Sequence, residues 1–241
     1  MNKQLRYDNK QDIELKIIHE DPHILVVEKP PMVPSQGDKT GDVDMLTLIE
    51  EYLKKEYPNT KKPYVGLIHR LDRPVGGVMV FAKTQNANRA LSEQVRLKKV
   101  SKIYYGVVCG IPDNGQMVLT DYLLKLTHLN MSKVVTKDTN NAKEAILEYE
   151  VIAKVNTTEH GPLALLKINL KTGRHHQIRV QLSNASIPLW GDNKYNKTFV
   201  KSKEWTQIAL WAGSLSFEHP KTKELCIFED FPSNKPFELF K

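Results

Sequence analysis

The stretch Val65-Gly66-Leu67-Ile68-His69-Arg70-Leu71-Asp72-Arg73-Pro74-Val75-Gly76-Gly77-Val78-Met79-Val80-Phe81 decides the fold. Two short apolar runs, residues 65–68 and 78–81, bracket a polar loop. Apolar runs of this length, bounded by Pro and Gly, read as buried strands. The loop holds a carboxylate, Asp72, between two arginines, Arg70 and Arg73. Loops fixed by rigid strands are where catalytic groups often sit. Two nearby cations favour the ionised carboxylate, while burial opposes ionisation. A carboxylate that is ionised and partly desolvated can serve as nucleophile or base. The same residues also suit a structural part, an Asp that caps a turn before Pro74 and Gly76.

Toward the N-terminus, Ile13, Leu15 and Ile17 alternate with polar residues, Glu20-Asp21-Pro22 turns the chain, and Ile24 to Val27 follows as a buried strand. That pattern predicts a hairpin. Lys29-Pro30-Pro31 stops the strand, and a loop rich in Pro and Gly runs to Gly41. Asp44 is placed to cap a helix over Met45 to Tyr57, with Leu46, Ile49 and Leu53 on one face and Pro58 ending it. Toward the C-terminus, residues 86–97 read as a helix with Ala87, Ala90, Leu91 and Val95 inward. Strands are predicted over 103–109, 146–153 and 163–170. Gly173 precedes a helix from His175 to Ala185 that buries Ile178, Leu182 and Ala185, and residues 208–217 form a strand that closes the sheet. Strands outnumber helices and do not alternate strictly with them. The expected class is therefore α+β, with a mixed, mainly antiparallel sheet and flanking helices. Residues 1–12 are polar and aperiodic and are expected to be a flexible tail. No repeat, low-complexity block or linker interrupts residues 13–232, so residues 13–241 are expected to form a single domain.

Composition narrows the function less. The chain has 241 residues, 40% hydrophobic and 26% charged, ordinary for a globular protein able to bury a core without staples. Its two cysteines, Cys109 and Cys226, form no CxxC, which argues against a disulfide framework or zinc site and for reduced thiols in the cytoplasm. The N-terminus has no apolar h-region, and no apolar run is long enough to span a bilayer. No membrane partner is expected. A net charge of +7 and a pI near 9.2 favour a polyanionic partner, since neutralised phosphates release counterions.

Two further stretches carry candidate chemistry. In Thr172-Gly173-Arg174-His175-His176-Gln177-Ile178-Arg179, the glycine permits a sharp turn. The helix start beyond it offers N–H groups and a positive dipole to phosphate. Arg174, His175, His176 and Arg179 crowd that end, although an ordinary basic helix face would look the same. Adjacent histidines lack the i, i+4 spacing of a helical metal site, so no metal is expected. In Lys102-Ile103-Tyr104-Tyr105 a tyrosine either fills the core or stacks on an extruded base. Trp190, Trp205 and Trp211 read as core or surface anchors, and the charged run 197–203 as a solvated face.

Together these motifs resemble the RluA-type family of pseudouridine synthases. Glu20-Asp21 with Ile24-Leu25-Val26-Val27-Glu28-Lys29-Pro30 is similar to the family's first motif, and His69-Arg70-Leu71-Asp72 with Gly77 to its second. Lys102-x-Tyr104 falls at the Tyr motif, and Thr172-Gly173-Arg174-x-His176-Gln177-Ile178-Arg179 at the third. Gly191-Asp192 with Tyr195, and Phe217-x-His219-Pro220, fit the C-terminal part. The chain departs at Pro74-Val75-Gly76-Gly77, where the family commonly has Asp-Thr-Ser-Gly one residue on, and at Gly106, where Ala is common. Too few residues precede Ile13 for the S4-type domain that many relatives carry, and none is expected.

The resemblance implies the pseudouridine synthase fold with a central catalytic cleft, and isomerisation of uridine to pseudouridine within RNA without a cofactor. It makes Asp72 the catalytic aspartate, attacking C1′ or deprotonating the sugar in a glycal route. Arg179 becomes the arginine paired with it, and Tyr104 the ring stacked on the target base. Arg70 would fill the gap left by the flipped nucleotide. Arg70, Arg73, Lys102, Arg174, His175, His176 and Gln177 are the residues expected to meet RNA. The expected substrate is a tRNA or rRNA stem-loop, and the expected state a monomer. Two rivals use the same residues: an RNA-binding protein that has lost catalysis, and a hydrolase that releases the base.

Overall fold

Asp21 makes the first hairpin. Its Oδ1 accepts from the main-chain N–H groups of His23 and Ile24 at 2.6 and 2.8 Å, which turns β1 (Lys16–Glu20) back into β2 (Ile24–Lys29). The computed structural model describes residues 13–202 and 204–240, so the expected tail over residues 1–12 lies outside the described residues. The remaining elements are α1 (Met45–Glu56), β3 (Gly66–Leu67), β4 (Gly76–Ala82), α2 (Gln85–Arg96), β5 (Ser101–Cys109), β6 (Gln116–Leu126) and β7 (Met131–Val135). After them come β8 (Lys143–Thr157), β9 (Gly161–Leu170), α3 (Gln177–Asn184), α4 (Lys197–Lys201), β10 (Leu210–Glu218) and β11 (Leu225–Glu229). The α+β class follows directly. The described chain divides into two compact units: one runs to Ser101 and resumes over Ala212–Asp230, and the other spans Lys102–Trp211 and resumes from Phe231.

In the first unit the strand order is β1-β2-β4-β10, with β3 on β4 and β11 on β10. The β1–β2, β2–β4, β3–β4 and β10–β11 pairs are antiparallel. All seven residues of β4 are buried, as the apolar run predicts. At its start Gly77 has φ +118°, and a Cβ there would lie 2.2 Å from the carbonyl oxygen of Ala212. Only glycine lets β4 and β10 approach this closely. Ile24, Val26, Val78, Val80, Leu91, Leu215 and Phe217 form the core. Asp44 caps α1 as expected, its carboxylate accepting from Leu46 and Thr47 N–H. The helix buries Met45, Leu48, Ile49 and Leu53, whereas Leu46, expected inward, is half-buried. Gln94 pins α2 to β10, donating to Glu218 O at 2.7 Å and accepting from Glu218 N at 2.9 Å.

In the second unit the order is β5-β9-β8-β6-β7, with antiparallel pairing throughout that run. One core gathers Val107, Leu163, Leu165, Trp190, Ala209, Trp211 and Phe237, so two of the three tryptophans are core residues. A smaller cluster, Leu123, Ala145 and Val180, seats α3.

Three expectations change. The strand over residues 208–217 begins at Leu210 and is not a closing edge, because β11 pairs beyond it. Residues 175 and 176 precede the helix: His176 is left-handed, φ 54°, and α3 starts at Gln177. The strands β6, β7 and β11 were not foreseen.

Candidate active site

The Asp72 loop lies between the end of β3 at Leu67 and the start of β4 at Gly76, so strand pairing does not hold residues 71–75. Other groups do. The Leu71 N–H donates to Ser35 Oγ at 3.1 Å, and the same hydroxyl donates to Leu71 O at 3.0 Å. Arg73 O accepts from Met32 N–H at 2.8 Å and from Lys29 Nζ at 3.1 Å. Val75 N–H donates to Asp72 O at 2.9 Å, closing the turn through the main chain. The segment between β2 and α1 therefore grips the peptides on both sides of Asp72.

Lys29 is fully buried, and its Nζ also donates to Pro30 O and Val33 O at 2.9 and 2.6 Å. Burial pushes its amine down from 10.5 to about 7, against the opposing pull of the Asp72 charge, with Arg73 adding to the depression. The amine is thus tied to Arg73 O, next to Asp72, and feels the Asp72 charge. Arg73, expected at RNA, turns its guanidinium to Asp42 at 2.7 Å, Asp38 at 3.2 Å and Thr40 Oγ1 at 2.7 Å. Arg70 is exposed, and His69 is buried with Nε2 accepting from Val80 N–H at 3.3 Å.

The other named residues gather in the second unit. Lys102 and Tyr104 sit two apart on β5 and so face the same way. Tyr104 is buried, and burial lowers the Lys102 amine. Arg179 is 2% exposed and forms a two-pronged pair with Asp192: Nε to Oδ2 at 2.8 Å and Nη2 to Oδ1 at 2.7 Å. The Tyr195 ring lies 5.3 Å from the guanidinium carbon. Asp192 Oδ1 also accepts from the N–H groups of Lys194 and Tyr195 at 2.9 and 3.1 Å.

His176 is buried against His175, ring centroids 3.8 Å apart, with Nδ1 2.8 Å from Tyr195 Oη. That hydroxyl accepts from Ser132 N–H at 2.7 Å, which leaves its own proton for His176 Nδ1. Burial, with Arg179 and His175 adding, pushes His176 from 6.5 down to about 2, so the ring is neutral and able to accept. His175 reaches Ser132 Oγ at 2.9 Å and Asn130 Oδ1 at 3.1 Å. Gln177, expected at RNA, is 3% exposed: its Oε1 accepts from Thr172 Oγ1 and Arg174 N–H, and its Nε2 donates to Ile146 O and Gln181 Oε1. It fixes the turn into α3. Arg174 is exposed, its Nε donating to Glu144 O at 2.8 Å.

Four residues that shape the site carried no role in the sequence reading. Lys29, Asp192 and Tyr195 lay inside matched motifs, which was a usable signal; Ser35 had none. Among the described residues no three His, Cys, Asp or Glu side chains are grouped to hold a metal ion, and no helix is long and apolar enough to cross a membrane.

With this geometry in view, comparison with known proteins is specific. A family model described as RNA pseudouridylate synthase matches residues 23–184. Ribosomal large subunit pseudouridine synthase D of Pseudomonas aeruginosa is 33% identical over 226 residues, covering 88% of this chain and 66% of its own. Ribosomal large subunit pseudouridine synthase C of Buchnera aphidicola is 30% identical over 211 residues, covering 86% and 63%. The chain thus spans about two thirds of the length of these curated relatives. The solved structure of human RNA pseudouridylate synthase domain containing 4 superposes with a TM-score of 0.77 over 92% of this chain and 90% of that one, at 21% identity. At that identity the likeness is one of fold.

Proposed function

The chain belongs to the RNA pseudouridylate synthase family, and from that premise we propose that it isomerises uridine to pseudouridine within structured RNA. The observation that carries the reading is the Asp72 loop. Asp72 lies on a short turn whose main chain is hydrogen-bonded at Leu71 before it and Arg73 after it, beside the buried amine of Lys29. Preorganisation of this kind suits a nucleophile or base.

In the reaction the N1–C1′ bond breaks, the uracil turns while held, C5 bonds to C1′, the C5 proton leaves, and N1 takes up a proton, so that atoms balance. No electrons are gained or lost, so the chemistry calls for no cofactor. Asp72 either adds to C1′ and departs again or removes a proton from the sugar. Tyr104 is assigned to the face of the uracil. Arg179, already oriented by Asp192, is the cation assigned to keep the carboxylate ionised. Exposed Arg70 and Arg174 suit phosphates or the gap left by the extruded nucleotide. Lys102 and His175 line the same readings, while buried His176 and Gln177 support them by shaping the start of α3. Arg73 reaches RNA only by leaving Asp38 and Asp42.

The names of the relatives favour ribosomal RNA over tRNA as substrate, with a stem-loop as the form, since a loop nucleotide costs less to extrude. The single catalytic domain, the monomeric state and action in the cytoplasm complete the proposal. The domain assignment rests on the family match, which spans motifs from both units.

The test is release of tritium from RNA labelled at uridine C5, with pseudouridine mapped in rRNA and tRNA of a strain lacking the protein. Specific sites should vanish and return with the wild type but not with Asp72→Asn, which should still bind RNA. Free uracil among the products would make the protein a hydrolase, and full activity of Asp72→Asn would remove Asp72 from the chemistry.

A further inference from the structure

The main chain of Leu71, immediately before Asp72, is held at both its N–H and its carbonyl by one side chain. Ser35 Oγ accepts from Leu71 N–H and donates to Leu71 O, at 3.1 and 3.0 Å. A serine hydroxyl has one proton and two lone pairs, so a single small group serves both halves of one residue's main chain, as a neighbouring strand otherwise would. Ser35 is 5% exposed and Leu71 7%, so water does not readily substitute. The hydroxyl is itself fixed. Pro34 O, one residue before, accepts from Met45 N–H at 2.9 Å at the start of α1, beside the Asp44 cap. On the other side of Asp72, Met32 and Lys29 hold Arg73 O. Ser35 thus holds the Leu71 side of Asp72 as Met32 and Lys29 hold the Arg73 side.

We propose that Ser35 is a positioning residue, whose hydroxyl sets the Leu71 peptide and through it the direction of the Asp72 carboxylate. The role rests on the isomerase reading above and adds to it a residue that the family motifs do not point to. Ser35 acts through Leu71. Losing the hydroxyl frees the peptide to turn, and a shift of about 1 Å at a reacting group can cost on the order of 100-fold in rate.

The experiment measures single-turnover tritium release from C5-labelled ribosomal RNA, RNA affinity by filter binding, and thermal melting. The proteins are the wild type, Ser35→Ala, Ser35→Cys, Ser35→Thr and Asp72→Asn. Ser35→Ala is expected to slow the single-turnover rate by about 10- to 100-fold, with RNA affinity unchanged and the protein folded. Ser35→Cys, close in volume but a weak hydrogen-bonding group, should behave like Ser35→Ala. Ser35→Thr keeps the hydroxyl and should recover most of the rate. If the added methyl group unfolds Ser35→Thr, the cysteine variant decides: a wild-type rate there would show that the site needs volume and not hydrogen bonds, overturning the proposal. A wild-type rate in Ser35→Ala, or a rate that falls only in step with affinity or folded fraction, overturns it equally. If the wild type releases no more tritium than Asp72→Asn, the isomerase reading itself fails and the positioning role falls with it, an outcome distinct from a fast Ser35→Ala.

Discussion

Removing the Asp192 carboxylate should do more damage than any surface change of similar size. The side chains of Arg179 and Asp192 are 2% and 1% exposed, so the aspartate cannot be exchanged for solvent. Breaking a buried pair by deleting one partner costs about 3–5 kcal/mol, because a charge is left stranded. The lost acceptor for Lys194 and Tyr195 N–H adds about 1 kcal/mol per bond. The total approaches the lower end of a domain's whole stability, about 5–15 kcal/mol. In a chain of this length each kcal/mol moves the melting temperature by about 2–4 °C, so Asp192→Ala should melt about 10 °C or more below the wild type. Asp192→Asn keeps the volume and an oxygen for the two N–H groups, and so isolates the charge effect. The paired change Arg179→Met with Asp192→Leu strands no charge and leaves only the Lys194 and Tyr195 N–H groups without their acceptor, so it should melt well above Asp192→Ala while losing turnover. Urea and thermal denaturation of Arg179→Met, Asp192→Leu and the double variant close a mutant cycle. The reasoning is refuted if Asp192→Asn melts within about 2 °C of the wild type, or if the double variant is as unstable as the two single losses added together.

Other outcomes follow from the same structure. Lys29 titrates near 7 when folded against 10.5 when free, so the unfolded chain binds the extra proton between those values. Its contribution to stability therefore rises with pH across that window, by up to about 1.4 kcal/mol per pH unit. The unfolding free energy of the wild type minus that of Lys29→Met should climb from pH 7 to 10; parallel curves would mean the amine is not desolvated. His176 is held neutral, about 2 against 6.5, so its contribution is present above pH 6.5 and lost as pH falls below it. His176→Asn, whose side chain tolerates the left-handed backbone, should flatten the loss seen in urea unfolding between pH 6.5 and 4; an unchanged slope would clear His176. Gly77→Ala would set a Cβ 2.2 Å from Ala212 O at φ +118°, so it should yield little folded protein. A normal yield with an unchanged melt would disprove the close approach of β4 to β10.

What was legible in the sequence is what local physics decides. The β1–β2 hairpin, the Asp44 cap on α1 and the two strands around Asp72 are set by alternation, a capping side chain and apolar runs, and they appear within a few residues of expectation. The strands β6 and β11 carry mostly exposed or half-buried side chains, so hydrophobic periodicity never announces them. Pairing makes them strands: β11 with β10 just before it, and β6 with β7 and β8. The start of α3 falls later than the pattern predicts because His176 takes a left-handed conformation, uncommon outside glycine, that breaks the helical run before Gln177. At the site, the motifs gave residue identities but not partners. Arg179 and Asp192 stand 13 residues apart, and nothing local says that this arginine will choose that aspartate. Ser35 was invisible because an isolated serine in a loop has many ordinary uses; only its distance to Leu71 gives it one.

The first unit is interrupted in sequence, running to Ser101 and resuming at Ala212. During synthesis its face of Ile24, Val26, Val78 and Val80 is made early, while Leu215 and Phe217, which complete that core, emerge only after residues 102–211. At about 5–20 residues per second, the ribosome leaves that apolar sheet without those two residues for several seconds while residues 102–211 of the second unit are made. The nascent chain is therefore most exposed to chaperones, proteases and misassociation in that interval. Slowing translation beyond residue 101 should lower the yield of soluble protein far more than the same delay placed after residue 218.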